Sequence, residues 1–309
     1  YEDIIVSSFD IDTKASSDYL SCLAYHYCTA PDAMRASYQP IPVYNNNIWF
    51  VPAISRVVAT SGTFWQMMQQ ARPERLTTFS SHSMPFRTLV EMEYWQTNIV
   101  SEDSRIFWKA FLHFDGKYRV IPLYYPVSMD ANTASTLRGT IQNVYKQQRR
   151  WGWGVENIPY MMFGFFKNSR VPMRMKLYFT FNQLDGFWSW STNSFLIFLL
   201  GWLPYLVGGR VFGSSSLAHN LPFVTRILMT LAMFGLVTSA ILSTMLLPPR
   251  PTGHPFRKYV WMAGQRALLP FIIVTLGSLP GLEAQTRLMF GRYMGFWVTP
   301  KFRRNPETG

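Results

Sequence analysis

Charge is scarce in this chain. Only 15% of its 309 residues are Asp, Glu, Lys or Arg, against about a quarter in a typical soluble domain. With 48% hydrophobic and 17% aromatic residues, disorder is excluded, because ample apolar surface is available to bury. An ordinary water-soluble globule is disfavoured as well. Acidic residues are scarcest toward the C-terminus: residues 181–309 hold 3 acidic and 11 basic side chains, residues 1–180 hold 14 and 18. Most of the formal +12 charge therefore lies in the second part. The first part lacks the basic footprint of a nucleic-acid binder, and no nucleic-acid partner is expected. Cysteine is nearly absent. Cys22 and Cys28 are too few for a disulfide framework and their spacing matches no common zinc pair, so they read as thiols in a reducing compartment. No initiator Met or signal peptide opens the sequence, and Ile4-Ile5-Val6 reads as a core strand already under way. A further segment is expected upstream.

Long uncharged runs are abundant. Phe187–Val207 spans 21 residues without a charge, a length that as a helix crosses the ~30 Å hydrocarbon core of a bilayer. Trp188, Trp190, Trp202 and Tyr205 lie near its ends, where aromatic rings favour the headgroup region. Ile227–Leu247 is equally clean and stops at Pro248-Pro249; Ala267–Leu282 is shorter and carries Pro270 and Pro280. Lys167, Arg170, Arg174 and Lys176 precede the first run, and Arg250, Arg257 and Lys258 follow the second, across a Gly/Ser-rich loop at Gly208–Asn220. The positive-inside rule then places residues 1–180 and the 250–260 loop in the cytoplasm. A third complete span would put Lys301, Arg303 and Arg304 outside, so residues 267–299 read alternatively as a re-entrant or interfacial pair of helices. Ile158–Phe166 is apolar but too short to span; it reads as an interfacial helix, or as a buried amphipathic segment of the soluble part.

The soluble part carries candidate chemistry at four places. DIIVSSF at 3–9 reads as a strand leading into Asp10-Ile11-Asp12. If the strand continues, the two carboxylates share a face at the strand end where open α/β sheets bind ligands. They suit a hard divalent cation that also bridges phosphate oxygens, or else a solvated turn. Helices are expected over 15–28 and 53–70, with Pro31, Pro40 and Pro42 punctuating the chain between them and Asn45-Asn46-Asn47 forming a polar turn. TFSSHSMPFR at 78–87 is small and polar, and its His82 is either a ligand contact or a structural histidine. Ser101-Glu102-Asp103 opens a helix whose apolar face is Ile106, Phe107, Ala110 and Phe111, so Glu102 and Asp103 are either acidic caps or a carboxylate held ready as a base. KYRVIPLYY at 117–125 reads as a strand closed by Pro126. TIQNVYKQQRRW at 140–151 reads as a basic helix that clusters Gln147, Arg150 and Trp151 on one side. Arg supplies a rigid fork for phosphate and Trp a flat face for a sugar ring, although a membrane-edge anchor has the same composition.

Asp-X-Asp at 10–12, Ser-Glu-Asp at 101–103 and Gln-Gln-Arg-Arg-Trp at 147–151, followed by uncharged runs, resemble the membrane-integrated family 2 glycosyltransferases, among them bacterial cellulose synthase and hyaluronan synthase. The resemblance implies an α/β GT-A nucleotide-sugar domain, Rossmann-like and here N-terminally truncated, followed by interfacial and transmembrane helices. The expected parts are a partial cytosolic catalytic domain over 1–155, an interfacial helix and basic linker over 156–180, a transmembrane region over 181–299 and a basic tail over 300–309. It further implies that Asp10 and Asp12 hold Mg²⁺ or Mn²⁺ against the diphosphate of a nucleotide sugar, most simply a UDP-sugar. Asp103 would be the general base, with Glu102 as its motif neighbour. Arg150 would contact the donor; Gln147, Trp151 and His82 would contact the acceptor, either a glycan or a lipid-linked sugar. The expected chemistry is inverting transfer by an integral protein of a plasma or inner membrane, its catalytic domain cytoplasmic. The pattern departs from the family in lacking the upstream nucleotide-binding Asp and a small-Cys acceptor turn, and in showing few spans. Single addition to a lipid-linked acceptor, and a non-catalytic scaffold or transporter that binds sugar nucleotides, are the competing expectations.

Overall fold

A computed structural model describes residues 3–249, 251 and 255–300. The terminal Tyr1, Arg250 and the basic tail with Lys301, Arg303 and Arg304 lie outside the described residues. In chain order the first part comprises β1 (Ile5–Ser7), α1 (Tyr19–Thr29), β2 (Ala36–Val43), α2 (Ala53–Gln70), β3 (Ser83–Pro85), α3 (Phe86–Glu91), α4 (Glu102–His113), β4 (Arg119–Ser128) and α5 (Leu137–Gly152). The second comprises α6 (Asn157–Lys167), α7 (Met173–Val207), α8 (Gly209–Gly213), α9 (Ser216–Met245), α10 (Phe256–Gly264), α11 (Leu269–Ile272) and α12 (Leu279–Met289). A π-helical stretch, Ile273–Ser278, joins α11 to α12.

The four strands lie in the order β1-β3-β2-β4. β3 is antiparallel to both β1 and β2, and β2 is parallel to β4. The C-terminal ends of β1, β2 and β4 and the start of β3 therefore share one edge of the sheet. β1 is a short, half-buried edge strand rather than a core strand, and its ladder to β3 ends at Ser7↔Ser83. Hence no strand runs through Asp10 and Asp12. A turn closed by the Thr13 N–H on the Asp10 carbonyl (2.8 Å) separates them, leaving Asp10 exposed and Asp12 buried.

Three prolines expected to end elements lie inside strands. Pro40 and Pro42 belong to β2, which meets β3 only at Tyr38↔Ser83 and so has an open side beyond that point. Pro126 belongs to β4, the other edge of the sheet, which continues to Ser128. On edges, a missing N–H removes no ladder bond. Between Pro122 and Pro126 β4 bulges against Pro40; Tyr124 takes φ 51°, and its N–H donates to Gln70 Oε1 (3.2 Å), whose amide donates in turn to the Gln39 carbonyl (3.1 Å).

Helix α4 forms where its apolar positions recur at helical spacing, and it buries Ile106, Phe107, Trp108, Ala110 and Phe111 in an aromatic layer. α6 contributes Met161 and Phe165 to that layer and α7 contributes Phe179. The opposite face of α6 leaves Met162, Phe163 and Phe166 exposed, so this helix is both part of the core and an apolar surface. α1 begins at Tyr19, four residues later than expected, and packs Tyr19 and Leu23 against β2 and β4. Residues 208–220, expected as a loop, are mostly helical. Gly209 at φ 57° breaks the chain after α7, and the Ser215 hydroxyl caps α9 by accepting the Ala218 N–H (3.2 Å).

Phe187–Val207 forms the C-terminal part of α7. Among the described residues, two helical stretches are long and apolar enough to cross a membrane, Ser216–Leu242 and Val260–Met289. The first leaves Leu228, Leu231, Phe234 and Ile241 exposed, a cost that water imposes and lipid does not. The second passes through Pro270, the π-helical stretch and Pro280, and its last turns pack against α5. The soluble part is bound to these helices by buried Arg56, which donates to the Ile48 and Val51 carbonyls and to Gln265 Oε1 (2.6 Å), and by the Trp49 indole on the Pro248 carbonyl (3.2 Å).

Candidate active site

Loops from the C-terminal ends of β1, β2 and β4 meet α2 and α5 around a cleft lined by Tyr44, Ser55, Asp130, Asn132, Gln147 and Trp151, and Asp103 at the start of α4 acts on its Tyr44. The chain after β1 is stitched to the end of β4 by reciprocal backbone bonds between Lys14 and Ser128 (2.7 and 2.9 Å). Asp12 Oδ2 accepts the Asp130 N–H (2.9 Å), and the Asn46 amide donates to the Asp12 carbonyl (3.0 Å). Asn47 grips the Ala131 backbone with both ends of its amide, and the Ser55 hydroxyl donates to the Asn132 carbonyl. Asn132 in turn donates to Gln147 Oε1 (3.4 Å). The polar Asn45-Asn46-Asn47 turn thus anchors the loops that carry Asp12 and face Gln147.

Asp10 projects at the cleft mouth, with the Ser80 hydroxyl donating to its Oδ2 (2.8 Å). Glu102 and Asp103 lie in the first turn of α4, where unpaired N–H groups favour negative charge. Burial is the first cause that pushes the Asp103 carboxyl up to about 7; Glu102 and Asp10 add to the shift and Arg150 opposes it. The Asp103 side chain keeps 32% of its surface open to the cleft. Glu102 is also raised, by burial first, and senses Arg150 and Asp10. Burial raises the Tyr44 hydroxyl, and Asp10, Asp12 and Asp103 add to this while Arg150 opposes it. Asp10, Glu102 and Arg150 therefore act on Asp103, and Asp10, Asp12, Asp103 and Arg150 act on Tyr44, from three well-separated segments. Trp151 stands beside them, 6.3 Å from the Tyr44 ring.

His82 was expected either as an acceptor contact or as a structural histidine. It is fully buried, beneath Asp103, with Nδ1 4.0 Å from Asp103 Oδ1. The Trp95 indole donates to Nε2 (3.3 Å), which leaves the Nδ1 proton to the Phe79 carbonyl (3.0 Å). Burial lowers its pKa to about 4, so the ring is neutral and supports the cleft floor without reaching an acceptor. The strand-end turn, by keeping the His82 carbonyl on the Ser8 N–H (2.9 Å), fixes this placement.

Several contributors escape the motif reading. Glu156, just past the Trp151 motif, accepts the Val100 and Ser101 N–H groups and the Ser101 hydroxyl (2.6 Å) on Oε1, and the Trp153 indole (2.9 Å) on Oε2. Asn157 binds Ser101 and Ser104 and accepts from Arg105 (2.6 Å). These side chains fasten the start of α4, which carries Asp103, to the segment that follows α5. Phe296 lies under the Arg150 guanidinium (5.5 Å) and Trp297 under Lys146 (5.4 Å). Only tertiary contact identifies them.

Among the described residues, no three His, Cys, Asp or Glu side chains form a metal cage. The donor set does suit a divalent cation that takes much of its shell from phosphate, since Mg²⁺ is commonly held by one or two carboxylates plus substrate oxygens. Asp10 is the more available ligand, because it is exposed whereas Asp12 is buried.

A mixed α/β sheet whose strand ends gather carboxylates around a guanidinium and an indole, docked on long apolar helices, defines the class: an α/β enzyme built onto membrane-type helices. The family model for glycosyl transferase family group 2 matches residues 5–248. The chain belongs to this family and is a glycosyltransferase. No individual curated protein matches it.

Proposed function

We propose that the protein transfers a sugar from a nucleotide-diphosphate sugar, most simply a UDP-sugar, to the hydroxyl of a glycan acceptor with inversion at the anomeric carbon. The observation that carries this reading is the Asp103 carboxyl itself, raised by burial, Glu102 and Asp10 and opposed by Arg150. Asp103, poised near neutrality and open to the cleft, takes the acceptor proton as the hydroxyl oxygen attacks. The bond from the anomeric carbon to the diphosphate breaks, and Arg150 meets the negative charge that develops on the leaving group. An α-linked donor then yields a β-linked product. Trp151, backed by Tyr44, offers the acceptor ring a flat apolar face. Gln147, held by Asn132, supplies a directed amide beside it. His82 acts from below, on the position of Asp103.

Asp10 and Asp12 would hold Mg²⁺ or Mn²⁺, which when bound neutralises the donor diphosphate. The exposed apolar faces of α6 and α9 support an integral membrane protein, and the basic residues flanking its apolar runs support a catalytic part on the cytoplasmic side of a plasma or inner membrane. Those same faces, close to the catalytic part, also favour a second acceptor class, a lipid-linked sugar that receives a single addition.

The test is incorporation from a panel of labelled nucleotide sugars by full-length protein in native-like membrane, with and without Mg²⁺ or Mn²⁺, followed by sizing of the product. Metal-dependent incorporation from one donor is expected. A ladder or polymer supports the glycan acceptor, and one added sugar the lipid-linked acceptor. Intact nucleotide-sugar binding with no incorporation from any donor, glycan and lipid acceptors being supplied, would overturn the reading in favour of a non-catalytic scaffold.

A further inference from the structure

Glu283 is the only carboxylate in the sequence between Asp185 and Glu307. It lies in the apolar stretch Val260–Met289, where an ionisable group is costly unless it has a task. Its Oε2 accepts the Tyr145 hydroxyl (2.7 Å), and its Oε1 accepts Arg149 Nη1 (2.7 Å) and Arg287 Nε (2.8 Å). Tyr145 and Arg149 are one turn apart on the side of α5 that faces away from Gln147 and Trp151. Beside this cluster the backbones of the two helices nearly touch: a Cβ on Gly152 would come within 3.0 Å of the Gly281 Cα. The other side of α12 is tied to α7, where the Ser191 hydroxyl donates to Gln285 Oε1 (3.1 Å) and the Gln285 amide donates to the Phe187 carbonyl (2.8 Å).

We propose that Glu283 is a positioning residue for transfer: through Arg149 it sets the last turn of α5, and with it Arg150 and Trp151, against α12 and the apolar helix α7. The inference rests on the transferase reading above. The bond from Arg149 to Glu283 Oε1, with the Tyr145 hydroxyl on Oε2, pins this turn of α5 to α12 and with it the neighbouring Arg150, whose charge acts on Asp103 and Glu102. Without the anchor the last turn of α5 is free to rotate, and the donor-side and acceptor-side groups lose register by more than productive geometry tolerates. Glu283 itself reaches neither substrate.

A double-mutant cycle on full-length protein in membranes tests this, with transfer rates, nucleotide-sugar binding and thermal unfolding recorded for each variant. E283Q and R149Q are each expected to lower kcat/KM for the acceptor by about tenfold, with the double variant no worse than either single one, as for residues acting as one unit. Ground-state donor binding should fall less than kcat/KM, because Asp10 and Asp12 stay in place and Arg150 counts most for the charge that develops on the leaving group during transfer. R287Q, which leaves the Arg149 bond in place, should transfer nearly as well as wild type. Additive losses, an unimpaired E283Q, or a loss in R287Q equal to that in E283Q would overturn the inference, the last because Glu283 would then act only within α12. If E283Q fails to fold, R149Q against R287Q decides the same question. A wild type that does not transfer sinks the functional reading itself, whereas a transferring wild type beside an unimpaired E283Q sinks only the positioning role.

Discussion

The ionisation of Asp103 makes the most exacting prediction. Burial, Glu102 and Asp10 together raise this carboxyl to about 7. If its ionised form is the base, kcat/KM should rise through neutrality and level off above it, since that parameter reports the free enzyme. With a pKa of about 7, roughly one molecule in eleven carries the charged base at pH 6 and ten in eleven at pH 8, a spread of about tenfold in rate. E102Q removes the nearest like charge and should move the rise to lower pH, whereas removing the Arg150 charge should move it higher. His82 is the other group expected from its type to titrate in this window, but its pKa is lowered to about 4. A His82 variant should therefore keep the inflection. The assay is kcat/KM between pH 5.5 and 8.5, at fixed ionic strength and saturating metal, for wild type, E102Q and H82Q. A flat profile, or an inflection that vanishes with His82 and survives in E102Q unmoved, would refute the reasoning. The linkage has a stability counterpart. A folded-state pKa above the unfolded value costs stability as pH rises from about 4 to about 7, so D103N should abolish transfer yet unfold later than wild type at pH 8. Because the side chain is one-third exposed, solvent screening limits the gain to about 1 kcal/mol.

Other perturbations probe the frame around that carboxylate. E156Q weakens the acceptor of three bonds at the start of α4; it should destabilise the fold by about 1–3 kcal/mol and reduce transfer, both measurable by thermal unfolding and initial rates. W151A should weaken acceptor engagement more than donor binding, and equal loss of both would indicate local collapse instead. G152A places a methyl 3.0 Å from the Gly281 backbone, and overpacking of this kind costs about 1–3 kcal/mol. A melting temperature equal to that of wild type would show that α5 and α12 do not approach so closely.

Much of this protein is legible in its sequence, because much of it is local. The α4 helix follows from apolar spacing, α2 and α5 from their helix-forming composition, and the long uncharged runs from composition alone. The motif carboxylates and the Gln-Gln-Arg-Arg-Trp helix announce themselves by residue type and order. Prolines were misleading in β2 and β4, since whether a missing N–H matters depends on which strand, if any, lies on that side. The same-face pairing of Asp10 and Asp12 failed for a similar reason: β1 ends with its partner β3, and a turn then turns one carboxylate out and the other in. Composition and pattern, then, determined that this chain has an α/β part and an apolar helical part, and which side chains are the candidates for chemistry. Only the tertiary structure decided that His82 lies beneath Asp103 as a neutral support, that Glu156 and Asn157 fasten the start of α4 to the segment that follows α5, and that Glu283 reaches α5. Those outcomes depend on burial and on partners dozens of residues away, and neither is encoded in the spacing of any one segment.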